Sequence, residues 1–214
     1  MNSDSPHGSV NLKPTHFEVE CNGGVTLLRL VSDDGTNRLT RECVLALTET
    51  IHDLARVPQP LVITGNERFF SAGADLNEIA ALDGPTAYEF SKMGQELMNA
   101  IEAFPALVCA AIRGYCMGGG LDLALACHMR IAHPHATFGH RGAALGLITG
   151  WGGTQRLPRL IGKSRALKMF VAAEKLTAAQ AFEIGLVTRV AAVPVAEALQ
   201  LLRGHKAERP GVIA

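Results

Sequence analysis

The chain has 214 residues, 48% of them hydrophobic and 19% charged, which suits one globular domain with a full core and at most a small appendage. Twenty basic residues offset twenty acidic ones without a strong basic run, so nucleic acid and anionic membrane surfaces are excluded as expected partners. The five cysteines (Cys21, Cys43, Cys109, Cys116 and Cys127) are odd in number and include no C-x-x-C pair; they read as reduced, buried thiols, not as a disulfide framework or a zinc ribbon.

Residues 1–15 are polar and are expected to form a flexible arm. They hold no apolar core for a signal peptide, and no segment reaches the length of a membrane span, so a cytoplasmic location is expected. FEVEC and VTLLRLV flank Asn22-Gly23-Gly24, a turn sequence that tolerates positive φ and predicts a hairpin. LTRECVLALTETIHDLARV then puts Val44, Leu47, Ile51 and Leu54 on one helical face. A short apolar strand, LVIT, runs into RFFSAGADLNEI. PTAYEFSKMGQELMNAIEAF is a second amphipathic helix, stopped by Pro105, and leads to the strand ALVCAAI. Alternating strands, loops and helices in this order predict an α/β domain with parallel pairing. After Trp151 the helices shorten (TQRLPRLI, SRALKMFVA, TAAQAFEIG), and LVTRVAAV reads as a last strand.

Gly118, Gly119 and Gly120 precede the helix-forming run that contains Asp122. Glycines at a helix start let the backbone approach a ligand and leave the first N–H groups aimed outward, where a negative oxygen is favoured. The dinucleotide fingerprint fails because Leu123 takes its last glycine position. A phosphate loop ending at Gly162-Lys163-Ser164 fails because Leu157 takes its first. The three glycines alone are equally consistent with tight strand-helix packing. Ser71-Ala72-Gly73-Ala74-Asp75 ends another strand, however, and two backbone donors meeting at one oxygen would make an oxyanion hole.

At these residues the sequence resembles the enoyl-CoA hydratase/isomerase (crotonase) family. The resemblance runs through FFSAGADLNEI, ALVCAAIRGYCMGGGLDLALACHMRIA, ATFGHRGAALGLITGWGGTQRLPRLIG and LTAAQAFEIGLVTRV. It implies a ClpP-like spiral of β-β-α units over a core at residues 16–195, with residues 196–214 as a short C-terminal helix and tail. It also implies an acyl-CoA thioester substrate, with coenzyme A as part of the substrate and no separate cofactor or metal, and a homotrimer or a hexamer of paired trimers. By the same match, the N–H groups of Ala74 and Gly119 hold the thioester oxygen. Arg38, Ala72, Asp75, Leu76, Gly118 and Gly142 complete the substrate and CoA contacts. Family members usually continue further as a helical module over the acyl pocket, so a more open pocket is expected.

Gly119 and Asp122, three residues apart, share a helical face, which makes Asp122 the candidate for moving a proton; unaided, the same residue reads as a dipole-paired helix-start aspartate. Family hydratases carry glutamate at Asp122 and a second glutamate at Gly142, so one acid is shortened and the other is missing. Glycine at that second position resembles dihydroxynaphthoyl-CoA synthases, some of which bind bicarbonate in place of the carboxylate, and predicts a niche for bicarbonate or a water near Gly142. His140 could titrate as a substitute acid or base, although a partly exposed loop histidine is the plainer expectation. His128 replaces an aspartate of the family and Asn77 a lysine used against CoA phosphates. His133 and His135 alternate on an expected strand, a metal spacing of the weakest kind. The resulting expectation is an enzyme that hydrates an enoyl-CoA or moves its double bond, with a lyase or decarboxylase, or a non-catalytic acyl-CoA binder, as the alternatives.

Overall fold

The computed structural model describes residues 16–204. The expected N-terminal arm and the tail beyond residue 204 lie outside the described residues. β1 (Phe17–Asn22) and β2 (Val25–Leu30) form the predicted antiparallel hairpin, Asn22 opposite Val25, with Gly23 and Gly24 at φ +61° and +81° in its turn. β3 (Arg38–Leu39) leads to α1 (Arg41–Leu54), capped by the Thr40 hydroxyl, which accepts from the Cys43 N–H at 3.2 Å. β4 (Leu61–Thr64), β5 (Phe69–Ser71) and β6 (Gly73–Ala74) come before the short α2 (Leu76–Ala80) and the long α3 (Gly84–Glu102). A capping box between Asp83 and Thr86 starts α3.

β7 (Val108–Ile112), β8 (Tyr115–Met117) and α4 (Gly119–Ala126) follow, then β9 (Met129–Ala132), β10 (Thr137–Gly139) and a 3-10 turn at Gly142–Leu145. The chain continues as α5 (Gly153–Ile161), α6 (Lys163–Val171), β11 (Lys175–Thr177), α7 (Ala178–Glu183), β12 (Arg189–Val190) and α8 (Pro194–Gly204).

A six-stranded sheet has the order β1-β2-β4-β7-β9-β12, parallel from β2 onward, and a four-stranded sheet has the order β11-β10-β8-β5. Each repeating unit gives its first strand to the large sheet and its second to the small one: β4 and β5, β7 and β8, β9 and β10. A helix closes each unit, and each new unit steps one strand along, which is the β-β-α spiral expected from the sequence.

Both faces of the large sheet are covered, which explains why VCAAI is apolar at every position. Leu28, Leu30, Leu61, Ile63, Val108, Ala110 and Ile112 join the main core. The alternating Leu27, Val62, Cys109 and Ala111 turn to Ala198, Leu199 and Leu202 of α8. That last helix begins at Pro194, two residues before the expected boundary, and burial of each leucine or valine at this contact contributes roughly 1.5–3 kcal/mol.

Three expectations need correction. LVTRVAAV pairs over only two residues, Arg189 with Ile131 and Val190 with Ala132; just before them the Thr188 hydroxyl and N–H both donate to the Arg130 carbonyl. His133 and His135 are not on a strand: β9 stops at Ala132, and the Ala136 N–H closes a turn onto the His133 carbonyl at 2.8 Å. The cysteines are all free, and four are buried, but Cys21 is exposed on the edge strand β1.

Candidate active site

The three glycines are required for three separate reasons. Gly118 sits at φ +51° as the residue before α4, in backbone space that side chains avoid. A Cβ on Gly119 would strike the Trp151 ring at 2.6 Å, and one on Gly120 would strike Ser71 at 2.7 Å. Trp151 is wedged in place: its indole N–H donates to the Phe90 carbonyl at 3.1 Å, its ring lies 5.3 Å from that of Phe90, and a Cβ on Gly94 would meet it at 2.1 Å. The expectation that this tryptophan packs is met.

The two loops meet. The Ala74 nitrogen lies 3.2 Å from where a Cβ of Gly119 would be, and the Gly119 nitrogen 2.9 Å from where a Cβ of Gly73 would be. Gly73, at φ +94°, tolerates this approach only because it lacks a side chain. As the first residue of α4, Gly119 has an N–H with no place in the helix ladder, and no turn, loop or capping bond among the described residues uses it.

Asp122 lies one turn into α4 and is fully buried. Its Oδ2 accepts from the Thr149 hydroxyl, and Oδ1 is 3.3 Å from Nε2 of His140. That separation suits an ion pair, but the direction is poor for a hydrogen bond, and both atoms are left without a partner. Burial pushes the Asp122 pKa up to about 7, against the Thr149 hydroxyl and the more distant Arg156 guanidinium, which both pull it down. Burial also pushes His140 down to about 4. Gly153 sets how closely α5 approaches the acid, since a Cβ there would fall 2.0 Å from Oδ1.

These groups line a cleft of about 630 Å³ with Ala72, Ala74, Leu76, Gly118, Gly119, Asp122, His140 and Gly142 in its wall. Most of the remaining wall is apolar, including Ile79, Leu145, Ile148, Leu167 and Val171. Arg38 and Asp75 are not in that wall. Arg38 pairs with Asp34 and, at 3.1 Å, with Asp75, whose other oxygen caps α2 through the Asn77 and Glu78 N–H groups. Gly142 does line the cleft, but the direction its side chain would take is filled: a Cβ would lie 2.6 Å from the Leu147 carbonyl oxygen.

His140 is buried, 3% exposed, not the partly exposed loop residue expected; its ring packs 5.1 Å from that of Phe170 on α6. His128 has a structural bond, with Nδ1 accepting from the Val108 N–H at 2.9 Å. Among the described residues no group of three His, Cys, Asp or Glu side chains could hold a metal, and no helix is long and apolar enough to cross a membrane. Sequence reasoning missed Thr149, Gly153 and Phe170. The paired glycines around Trp151 were the available signal for a crowded approach, whereas nothing marked Thr149 as the partner of an acid 27 residues away.

A spiral of β-β-α units with a cleft between two glycine-bearing strand ends is the architecture of the enoyl-CoA hydratase/isomerase family, and the family model matches residues 20–207; the chain belongs to this family. Among curated relatives, a probable enoyl-CoA hydratase of Bacillus subtilis is 45% identical over 129 residues, 60% of this chain and 50% of the relative. The crotonyl-CoA hydratase of Syntrophomonas wolfei is 39% identical over 157 residues, 72% of this chain and 60% of the relative. The match therefore spans about half to three-fifths of these relatives' length. Among solved structures, Pseudomonas aeruginosa DspI superposes with a TM-score of 0.85 at 37% identity, covering 92% of this chain and 77% of that one. An enoyl-CoA hydratase from Bacillus anthracis superposes with a TM-score of 0.84 at 32% identity, covering 89% and 76%.

Proposed function

We propose that the chain acts on an acyl-CoA thioester by stabilising its enolate. The N–H groups of Ala74 and Gly119 receive the thioester oxygen as negative charge develops on it, and Asp122 moves the α-proton. The observation that carries this reading is the convergence of two strand-end backbones beside a buried, protonatable carboxylate in one apolar cleft. Donors fixed before the reaction need no reorganisation, and one such donor is typically worth about 10²–10³ in turnover. An acid that titrates near neutrality can both take and return a proton.

Hydration of an enoyl-CoA or migration of its double bond is the proposed reaction, and the hydratase names of two relatives support it. The Leu147 carbonyl in the place of a second acid favours one alternative, C–C cleavage or decarboxylation, which uses the same enolate with less proton traffic. Ala72, Leu76, Gly118 and Gly142 are proposed as substrate contacts, with Arg38 and Asp75 at the CoA end. A trimer or paired trimers in the cytoplasm complete the proposal; sedimentation of the purified chain tests the assembly.

The deciding experiment follows deuterium entry from D2O at the α-carbon of a saturated acyl-CoA. Incorporation that disappears in Asp122→Asn supports the enzyme. Tight binding without exchange would instead identify a non-catalytic acyl-CoA binder.

A further inference from the structure

The buried contact between Asp122 and His140 is unfinished in a way that points to a mobile proton. Their side chains are 1% and 4% exposed, Oδ1 and Nε2 are 3.3 Å apart, and neither atom has another partner. Buried polar atoms are rarely left in this condition without a role. Everything else around them is fixed. Thr149 holds the far oxygen of Asp122, and Phe170 of α6 packs on the imidazole. The other titratable groups near the acid are Cys116 on β8, which burial keeps protonated, and Arg156 on α5, which is tied to Glu102 at 2.6 Å and Asn99 at 2.8 Å.

We infer that Asp122 and His140 share one proton across this contact, so that His140, acting through Asp122, takes the place of the missing second carboxylate. The inference rests on the enolate reading above. In the resting pair the proton lies on Oδ1, 3.3 Å from Nε2, and a turn of the imidazole brings the Nε2 lone pair into line with it, while Nδ1 keeps its own hydrogen. During α-proton removal the Asp122 proton passes to Nε2, and the substrate C–H bond breaks with its proton bonding to the freed carboxylate. The electron pair moves onto the thioester oxygen. The imidazolium and the enolate then balance in charge, and reversal of the steps returns a proton to substrate carbon. His140 is a positioning residue that sets the proton inventory of Asp122, and its effect belongs in the pH profile.

The test compares α-proton exchange of butyryl-CoA in D2O between pH 5 and pH 9 for the wild type and His140→Gln, with butyryl-CoA affinity and melting temperature as controls. Glutamine keeps polarity and approximate size but cannot hold the proton. The expected result is a loss of at least tenfold at pH 5.5 that shrinks to within threefold at pH 9, because the variant must wait for Asp122 to ionise unaided. Coincident acid limbs, or an equal loss at every pH, would overturn the pair. A second measurement needs no turnover: ¹⁵N NMR of His140 in the ligand-free protein. The facing Asp122 proton moves the Nε2 shift from that of an unprotonated imidazole nitrogen toward imidazolium and makes it respond to Asp122→Asn; an Nε2 signal indifferent to that change overturns the inference. If no acyl-CoA exchanges in the wild type, the enolate reading fails and the NMR comparison still decides the pair.

Discussion

Replacing Asp122 by asparagine is expected to make the protein more stable, by an amount that grows with pH. The carboxyl is pushed from its ordinary 3.8 up to about 7 in the fold, a rise of about three units, and one unit corresponds to ~1.4 kcal/mol. A group whose folded pKa is raised contributes its stability fully below the unfolded value and loses it as pH rises through the folded value. The wild type therefore gives up stability between about pH 4 and pH 7, to a ceiling of about 4 kcal/mol, and is level above that. Asparagine cannot ionise, and its carbonyl still accepts from Thr149. His140 has the opposite sign, since its depressed pKa of about 4 removes stability as pH falls from 6.5. Both proteins carry that acid-side loss, so it cancels in the difference wherever Asp122 is protonated. Relaxation of the site reduces the ceiling, and a gain of ~2–4 kcal/mol at pH 8 would raise the melting temperature by roughly 4–16 °C in a chain of this size. Urea titrations and thermal melts of both proteins at pH 4, 6 and 8 provide the measurement. A difference that stays flat with pH, or a variant that is less stable at pH 8, would refute the argument that burial holds the carboxyl protonated.

Three further outcomes are expected. Gly153→Ala places a methyl group 2.0 Å from the acid oxygen and must displace the carboxylate, so α-proton exchange should fall by about 10²-fold, read by mass spectrometry, with acyl-CoA binding retained. Thr149→Val removes a donor that holds the Asp122 pKa down, so the acid limb of the exchange profile should move to higher pH; an unmoved limb would show the hydroxyl to be irrelevant. Turnover should be the same with and without added bicarbonate, because the Leu147 carbonyl fills the place beside Gly142, and activation by bicarbonate would show that this loop opens.

The spiral was legible because its signals are local. Asn22-Gly23-Gly24 specifies a hairpin, ALVCAAI an apolar strand, and PTAYEFSKMGQELMNAIEAF an amphipathic helix. The approach of Ala74 to Gly119 could be anticipated from two glycine-containing strand ends. The surroundings of Asp122 could not. His140 looked like a partly exposed residue because the Phe170 ring that packs on it comes from α6, far along the chain, and Thr149 reaches the acid from the segment that leads into Trp151, seated against Phe90. Gly142 shows the same limit from the other side: nothing in the spacing of the sequence places the Leu147 carbonyl oxygen 2.6 Å from where its Cβ would be. Such features depend on where distant segments come to rest, which spacing along the chain does not encode.

The triple glycine has a consequence for second-site suppression. Because Gly119 is confined chiefly by an indole, an alanine there has an external obstacle that another substitution can shrink, a smaller ring at Trp151, whereas Gly120 is confined by the backbone carbonyl of Ser71 as well as its side chain, which no substitution removes. Gly118 has open space around it and is held by its own torsion angle, so no neighbour can be trimmed to accommodate a side chain there. A genetic selection for revertants should recover compensating changes for the second glycine, and only restoration of glycine for the first and third.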